Sequence, residues 1–456
     1  MKKVLAIVLM LVLATSLMFA LVACEKPGPE LEGTAAVVAE ASKMTLAELE
    51  AASKKEMEAS KDTFKIVGLT SVLQKAAISF SKTYDWITIE LDEKGKIKEG
   101  GNTYVKNDYK DNALLQALLT AEDAYFADFA LVQDVRNIAA YDEDILHNYV
   151  PSDYKDLGLT DADIKPLKGI YFNKLFYTNT NFETVTGKTL HNIWQLAGSK
   201  DDPDHLGLVS FQPATTEQIN MSFLLSCEAP ENQARIAEAY KAYYGKEWSS
   251  DTYISAGQQW VTEFIDNITR WHSSDGTAMK ETQLKDDWKA GYVYYGAFAK
   301  MKDAVGKSYA IEGQETDPIL KDLIGEDGKV NAMKTVKWDW DIKGFNGFMY
   351  AMCSQIVNNA KHPYTACLFA RYLVTLQAYE SSVYNKDLPK PEGASKVNQY
   401  GYYSPASNNI TYAVGDWTRD THIQREIVEN YEYLKTVKIT QVNRIMALIA
   451  SNSANK

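Results

Sequence analysis

Cysteine, histidine and positive charge are all scarce in this 456-residue chain, and each scarcity excludes something. Beyond Cys24 the cysteines are Cys227, Cys353 and Cys367, an odd number with no C-x-x-C spacing. A disulfide framework or a zinc ribbon is therefore excluded, while a Cys353–Cys367 bridge and buried free thiols both stay open. The six histidines (His147, His191, His205, His272, His362 and His422) form no H-E-x-x-H and no close pair. G-x-S-x-G, G-x-G-x-x-G and the phosphate-cradling P-loop are absent as well, so no familiar catalytic signature is present. Lys and Arg number 48 against 60 Asp and Glu, a formal charge of −12. A nucleic-acid binder needs a basic face, so that class is excluded. Past residue 23 no apolar run is long enough to span a bilayer.

What is present begins at the N-terminus. Lys2 and Lys3 precede an apolar stretch from Val4 to Ala23, broken only by Thr15 and Ser16. Cations before an apolar core read as an export signal. Its ending, Leu21-Val22-Ala23-Cys24, is similar to the bacterial lipobox, which implies cleavage before Cys24 and lipid on its sulfur. Several acyl chains would hold the protein on the outer face of the cell membrane, at about 0.8 kcal/mol per buried methylene. Loss of two lysines with the signal takes the charge from −12 to −14.

Residues 24–44 are rich in Pro, Ala and Glu and read as a tether. Thr45-Leu-Ala-Glu48 is a capping box opening a helix with Leu46, Leu49 and Met57. Phe64–Leu69 reads as a short buried strand, followed by a helix that Thr70 and Ser71 can cap. Ile87–Leu91 and Phe129–Gln133 read as further strands, and Asn112–Leu119 as a helix. This alternation predicts βαβ units and a parallel sheet. The pattern changes at Gly169–Thr178, a long aromatic strand. A helix is predicted over Thr189–Leu196 and a strand over Leu206–Phe211. Gln212-Pro213 then starts another helix. Helices are expected over Glu231–Tyr244, Gly257–Trp271, Tyr364–Ala378 and most of Thr421–Ala450. A strand is expected at Tyr292–Tyr295, and a polar loop over Lys302–Ala332.

Several of these segments, in this order, resemble the extracellular solute-binding proteins of ABC importers, in the group that binds ferric iron, thiamine and polyamines. Thr45–Glu56 before Phe64–Leu69 is similar to that group's opening helix and strand. Asn112–Asp134, Leu167–Asn179, Leu190–Leu196, His362–Leu373 and Tyr400–Pro405 resemble its later elements. The resemblance implies an α/β fold of two lobes joined by crossing strands, with ligand in the cleft between them. Residues 45–168 would begin lobe 1, 169–340 would be mainly lobe 2, and 341–456 would return to lobe 1. It further implies a monomer that partners permease subunits and carries no cofactor. In open α/β sheets ligands sit beyond the carboxyl ends of strands, which agrees.

Candidate ligand contacts follow from that placement, each beside a plainer alternative. Thr70 and Ser71 end the first strand, where they can also be simple helix caps. Gln133 and Asp134 end the third strand, where Asp134 can pair with an ammonium or serve a turn. Phe211 and Gln212 close a second-lobe strand. Tyr295 can contact an organic ligand or pack in its strand. Trp338 and Trp340 alternate in Trp-Asp-Trp-Asp, which on a strand would put both rings on one face, to stack on a sugar, attract a cation or cover core. Asn346 is a possible hydrogen-bond donor. These aromatics rank a sugar or oligosaccharide first as cargo and a polyamine second. The alternative cargo is ferric iron, for which Tyr294 and Tyr295 would supply phenolates. A calcium loop at Asp339-x-Asp341 lacks its bidentate acid, because Tyr350 stands in that place. Two other classes, a secreted carbohydrate-active enzyme with paired carboxylates and a lipid-anchored adhesin, have no residues that single them out.

Overall fold

The computed structural model describes residues 32–120, 126–141, 145–282, 285–300, 308–309, 330–331, 335–385, 391–394, 397–406, 410, 412–413 and 416–454. Cys24, the export signal and most of the polar segment 302–332 lie outside the described residues.

The strands that matter are β1 (Phe64–Gly68), β2 (Thr103–Lys106), β3 (Phe129–Val132), β4 (Lys168–Asn179), β5 (Val209–Phe211), β6 (Ile268–Trp271), β7 (Val293–Ala297) and β8 (Gly347–Val357). They form one sheet in the order β2-β1-β3-β8-β4-β7-β5-β6. On one side β1 runs parallel to β2 and β3; on the other β5 runs parallel to β7 and β6. Between the two parallel blocks β4 and β8 run antiparallel, pairing from Gly347↔Leu175 to Cys353↔Lys168. Both are buried along their whole length, which is why their sequences are apolar and aromatic without alternation. Two lobes result, and these two strands cross between them.

Local sequence explains the helices of lobe 1. Helix α1 (Gly33–Ala41) precedes α2 (Leu46–Ala59), whose capping box forms as expected: Thr45 Oγ1 accepts from Glu48 N, and Glu48 Oε2 accepts from Thr45 N at 2.8 Å. The tether reading is corrected for residues 33–41, where an Ala- and Val-rich run is a good helix former. It buries Thr34, Val38 and Ala41 and packs on α3 (Pro363–Leu373), the helix opened by His362 and Pro363. Asp128 fastens that junction, accepting from the backbone N–H of Lys65, Lys361 and His362. Three other boundaries shift. Ile268–Trp271 is a strand rather than a helix end, and only Ile193–Gln195 of the predicted 189–196 helix coils. The C-terminal helical stretch is interrupted where Ile427–Val428 pairs with Phe348–Met349 beside the crossing strands. Cys227, Cys353 and Cys367 are buried free thiols, so the possible bridge is not formed.

Candidate functional site

The carboxyl ends of β1 and β3 in lobe 1 face the helix that follows β5 in lobe 2, and a seam runs between them. On the lobe 1 side Asp111 opens a helix (Asp111–Thr120) and turns its carboxylate toward the end of β3. It accepts from Gln133 N at 3.1 Å, Asp134 N at 2.6 Å and Asn137 Nδ2 at 3.4 Å. Burial pushes the Asp111 carboxyl up to about 7, against the lowering effect of those backbone donors. Asp134 pairs with Arg136, whose Nε donates to Asp134 Oδ1 at 3.0 Å. Lobe 2 answers from Thr215–Ile219 and the helix Ile219–Cys227. Ser222 Oγ donates to Asp134 Oδ1 at 3.2 Å, and Arg136 Nη2 donates to Gln218 O at 3.3 Å. The Asp134–Arg136 pair therefore ties the lobes together.

A cavity of about 40 Å³ lies in this seam, between Leu69, Asp111, Gln133 and Asp134 on one side and Glu217 on the other. That is room for a few waters only, so the described conformation is closed. Beneath it the crossing strands present Phe172, Lys174 and Tyr350 on one face, since Tyr350 lies directly across from Phe172. Tyr350 stacks on Phe172 with ring centroids 5.8 Å apart, and Gln133 Nε2 reaches its hydroxyl at 3.5 Å. Lys174 Nζ sits 3.1 Å from Asp275, the first residue of a lobe 2 helix (Asp275–Glu281). Lys174 is buried and Asp275 half-buried, and their pairing joins a crossing strand to the lobe it enters.

Of the residues expected from the sequence, the structure brings Gln133 and Asp134 to this seam, with Thr70 one residue beyond Leu69. Thr70 caps its helix by accepting from Val72 N, and Ser71 is exposed. Asp134 is committed to Arg136 and Ser222 rather than free for a ligand amine. Gln212 is buried, donating from Nε2 to Ser273 O at 3.3 Å. The aromatic candidates are corrected in placement. Phe211 and Tyr295 stack with each other and with Phe223 inside lobe 2, because β5 and β7 turn these rings toward the helices rather than the seam. Trp338 and Trp340 lie beyond a strand that ends at Lys337. Trp338 packs on Phe298 and Trp417, and Trp340 on Phe182 beneath Lys337. The stripe of two indoles is not formed. Asn346 donates to Trp340 O and holds that turn. Tyr294 and Tyr295 point to opposite faces of β7, Tyr294 stacking on Tyr177, so they cannot hold one ion together.

Sequence reasoning missed Asp111, Arg136, Lys174, Glu217, Ser222 and Asp275. Lys174 carried a signal, a cation in the middle of a long strand that is otherwise mostly apolar and aromatic. Among the described residues no group of three His, Cys, Asp or Glu side chains is arranged to hold a metal, and no helix is long and apolar enough to cross a membrane.

Two lobes crossed by two long antiparallel strands, with a seam at the strand ends, define the fold of extracellular solute-binding proteins. Solved structures of that fold match most of the chain. The iron-binding protein FutA (IdiA) from Trichodesmium, in complex with iron and citrate, matches at 12% identity and a TM-score of 0.50, covering 86% of this chain and 99% of that one. Apo ferric ion-binding protein A from Pasteurella haemolytica matches at 10% identity and a TM-score of 0.50, covering 86% and 98%. An ABC transporter substrate-binding protein from Bradyrhizobium japonicum does so at 10% identity and a TM-score of 0.50, covering 85% and 100%. No protein-family model matches the sequence, and no curated protein matches it significantly.

Proposed function

We propose that this chain is the substrate-binding component of an ABC importer, held outside the cytoplasmic membrane by lipid on Cys24 and delivering a small solute to permease subunits. The observation that carries this reading is the seam: two lobes meet at the carboxyl ends of their strands and are joined by crossing strands on which they can hinge. The fold neighbours are named as binding proteins, which supports reading the chain as a non-enzyme.

For the cargo, an iron–carboxylate chelate is better supported than a sugar or polyamine. Phe211, Tyr295, Trp338 and Trp340, the rings that would have stacked on a sugar, are packed into the lobes. One fold neighbour holds iron with citrate. The seam offers oxygen donors in Glu217, Gln133 and the Tyr350 hydroxyl, and a cation in Arg136, whose bond to Gln218 O is released when the lobes part, for a chelator's carboxylates. A hard ferric ion suits such oxygen-rich surroundings, and a chelator would supply the donors that the paired tyrosines do not. The lobes must open to admit it. The protein is stripped of metal and titrated with ferric citrate, spermidine and a panel of sugars, following tryptophan fluorescence and calorimetry. Saturation by ferric citrate, lost on Glu217→Gln with Arg136→Gln, is the expected result. Binding of a sugar or spermidine at the seam without any response to ferric citrate overturns the cargo reading. A failure of every solute, together with turnover of any glycan, overturns the importer reading itself.

A further inference from the structure

A much larger cavity near the crossing strands lies on the other side of the sheet from the seam. Tyr171 and Phe172 point to opposite faces of β4; Phe172 faces the seam, and Tyr171 lines a second cavity of about 600 Å³. One wall is the lobe 1 loop Thr160–Lys168, another the start of the lobe 2 helix Pro230–Tyr244, and the third the chain from Arg419 to Glu432. The volume falls in the range of small-molecule sites, about 300–1,000 Å³.

Its polar groups are unevenly satisfied. Three of its cationic side chains are engaged by backbone carbonyls: Arg235 donates to Glu426 O at 2.8 Å and Gln424 O at 3.1 Å, Arg419 to Ser404 O at 2.8 Å, and Lys168 to Ala162 O. The carboxylates are not all so served. Glu426 is fully buried; His422 and Asn173 engage its Oε1, and its Oε2 has no partner. Glu429 is 6% exposed; its Oε2 accepts only a long 3.4 Å bond from Ala351 N, and its Oε1 has no partner. A buried acceptor without a donor is costly, and here both belong to residues that line this one cavity. The lining holds six carboxylates against four cationic side chains.

We propose that this cavity is a second binding site, for a small linear organic polyamine whose ammonium groups pair with Glu426 and Glu429. The two orphan oxygens call for N–H donors with positive charge. The acidic excess draws in a cation, and the ring of Tyr171 with Ile423 and Val428 gives the stem an apolar wall. Burial pushes the Glu429 carboxyl well up, so a bound ammonium, favouring its charged form, drives out a proton. The site stands independently of the cargo at the seam.

The test is calorimetric titration of the full chain with spermidine and putrescine in buffers of different ionisation enthalpy, beside ferric citrate as the seam probe. Expected is saturable binding whose heat depends on the buffer. It should weaken at least about tenfold, 1.4 kcal/mol, in Glu429→Gln and in Ile423→Trp, which fills the cavity from its wall. Ferric citrate titrates each variant as a check that the fold and seam are intact. No saturable heat with either amine in the wild type overturns the proposal. So does wild-type affinity in both variants, or loss of amine binding on Glu217→Gln, which would put the amine in the seam.

Discussion

Lys174 and Asp275 offer a measurable test of how the crossing strands are fixed to lobe 2. The Lys174 side chain is 1% exposed and that of Asp275 13%, with Nζ 3.1 Å from the carboxylate. Asp275 is the one carboxylate paired with Lys174 among the described residues. Removing one partner of a buried ion pair strands the other, at roughly 3–5 kcal/mol, whereas replacing both by apolar groups of similar size is close to neutral. The two single variants should not cost the same. Asp275→Leu leaves an ammonium with almost no access to water and belongs at the upper end. Lys174→Met keeps the packing of the aliphatic stem and leaves a carboxylate that is partly wet and lies in a first helical turn, where backbone N–H groups help it; about 2–3 kcal/mol is expected. The double variant Lys174→Met/Asp275→Leu should return to within about 1 kcal/mol of the wild type, giving a coupling energy of at least about 2 kcal/mol. Urea unfolding of the four proteins, with slopes compared to confirm a common transition, measures it. Additive single costs, or singles within about 0.5 kcal/mol of the wild type, would refute the reasoning.

His422 should make stability fall in alkali. Burial alone would push its imidazole down, but the charge of Glu426 and the hydrogen bonds it donates to Asp416 and Glu426 hold it up at about 9. The folded state thus binds the proton more tightly than the unfolded one, so the contribution is full below about 6.5 and lost as pH rises to about 9; His422→Gln should remove that slope from the melting temperature. Asp111, raised by burial to about 7, has the same sign at lower pH. The folded state keeps a proton that the unfolded chain releases near 4, so stability drops between about 4 and 7 by at most about 1.4 kcal/mol per pH unit, and Asp111→Asn should flatten that part of the profile. Gly347→Ala would set a Cβ 2.1 Å from Lys174 O across the crossing strands, and should cost at least about 2 kcal/mol in urea unfolding. Cys24→Ala should move the protein from the detergent phase to the aqueous phase on partition; equal partition would end the lipid-anchor proposal.

Much of the fold was legible because its elements carry local signals. The capping box at Thr45–Glu48, the apolar run at Phe64–Gly68 and the His362-Pro363 helix start all stand where the sequence puts them. The crossing strand was recognisable from its length and its aromatic, non-alternating sequence, as a strand covered on both faces requires. Boundaries failed where tertiary contact overrides local preference. Ile268–Trp271 has helical periodicity upstream, yet it extends because β5 offers an unpaired edge. Gly33–Ala41 reads as tether until α3 is there to bury Val38 and Ala41.

The site was legible in position and not in detail. Gln133 and Asp134 were found because a strand end in an α/β sheet is a place that can be named from sequence. What those residues do there depends on partners far along the chain. Asp134 belongs to Arg136, two residues on, and Arg136 reaches the carbonyl of Gln218, 82 residues away. The aromatic candidates failed for a different reason. Alternation along a strand says that two rings share a face, but not whether that face meets solvent or the next layer of helices. Phe211 and Tyr295 share a face with each other across neighbouring strands, and Phe223 covers them both. A ring thus ranks as a ligand contact only when no helix is available to bury it. A charge inside an apolar strand carries the opposite presumption: Lys174 had to find a carboxylate, and it found one in the lobe that the crossing strand enters.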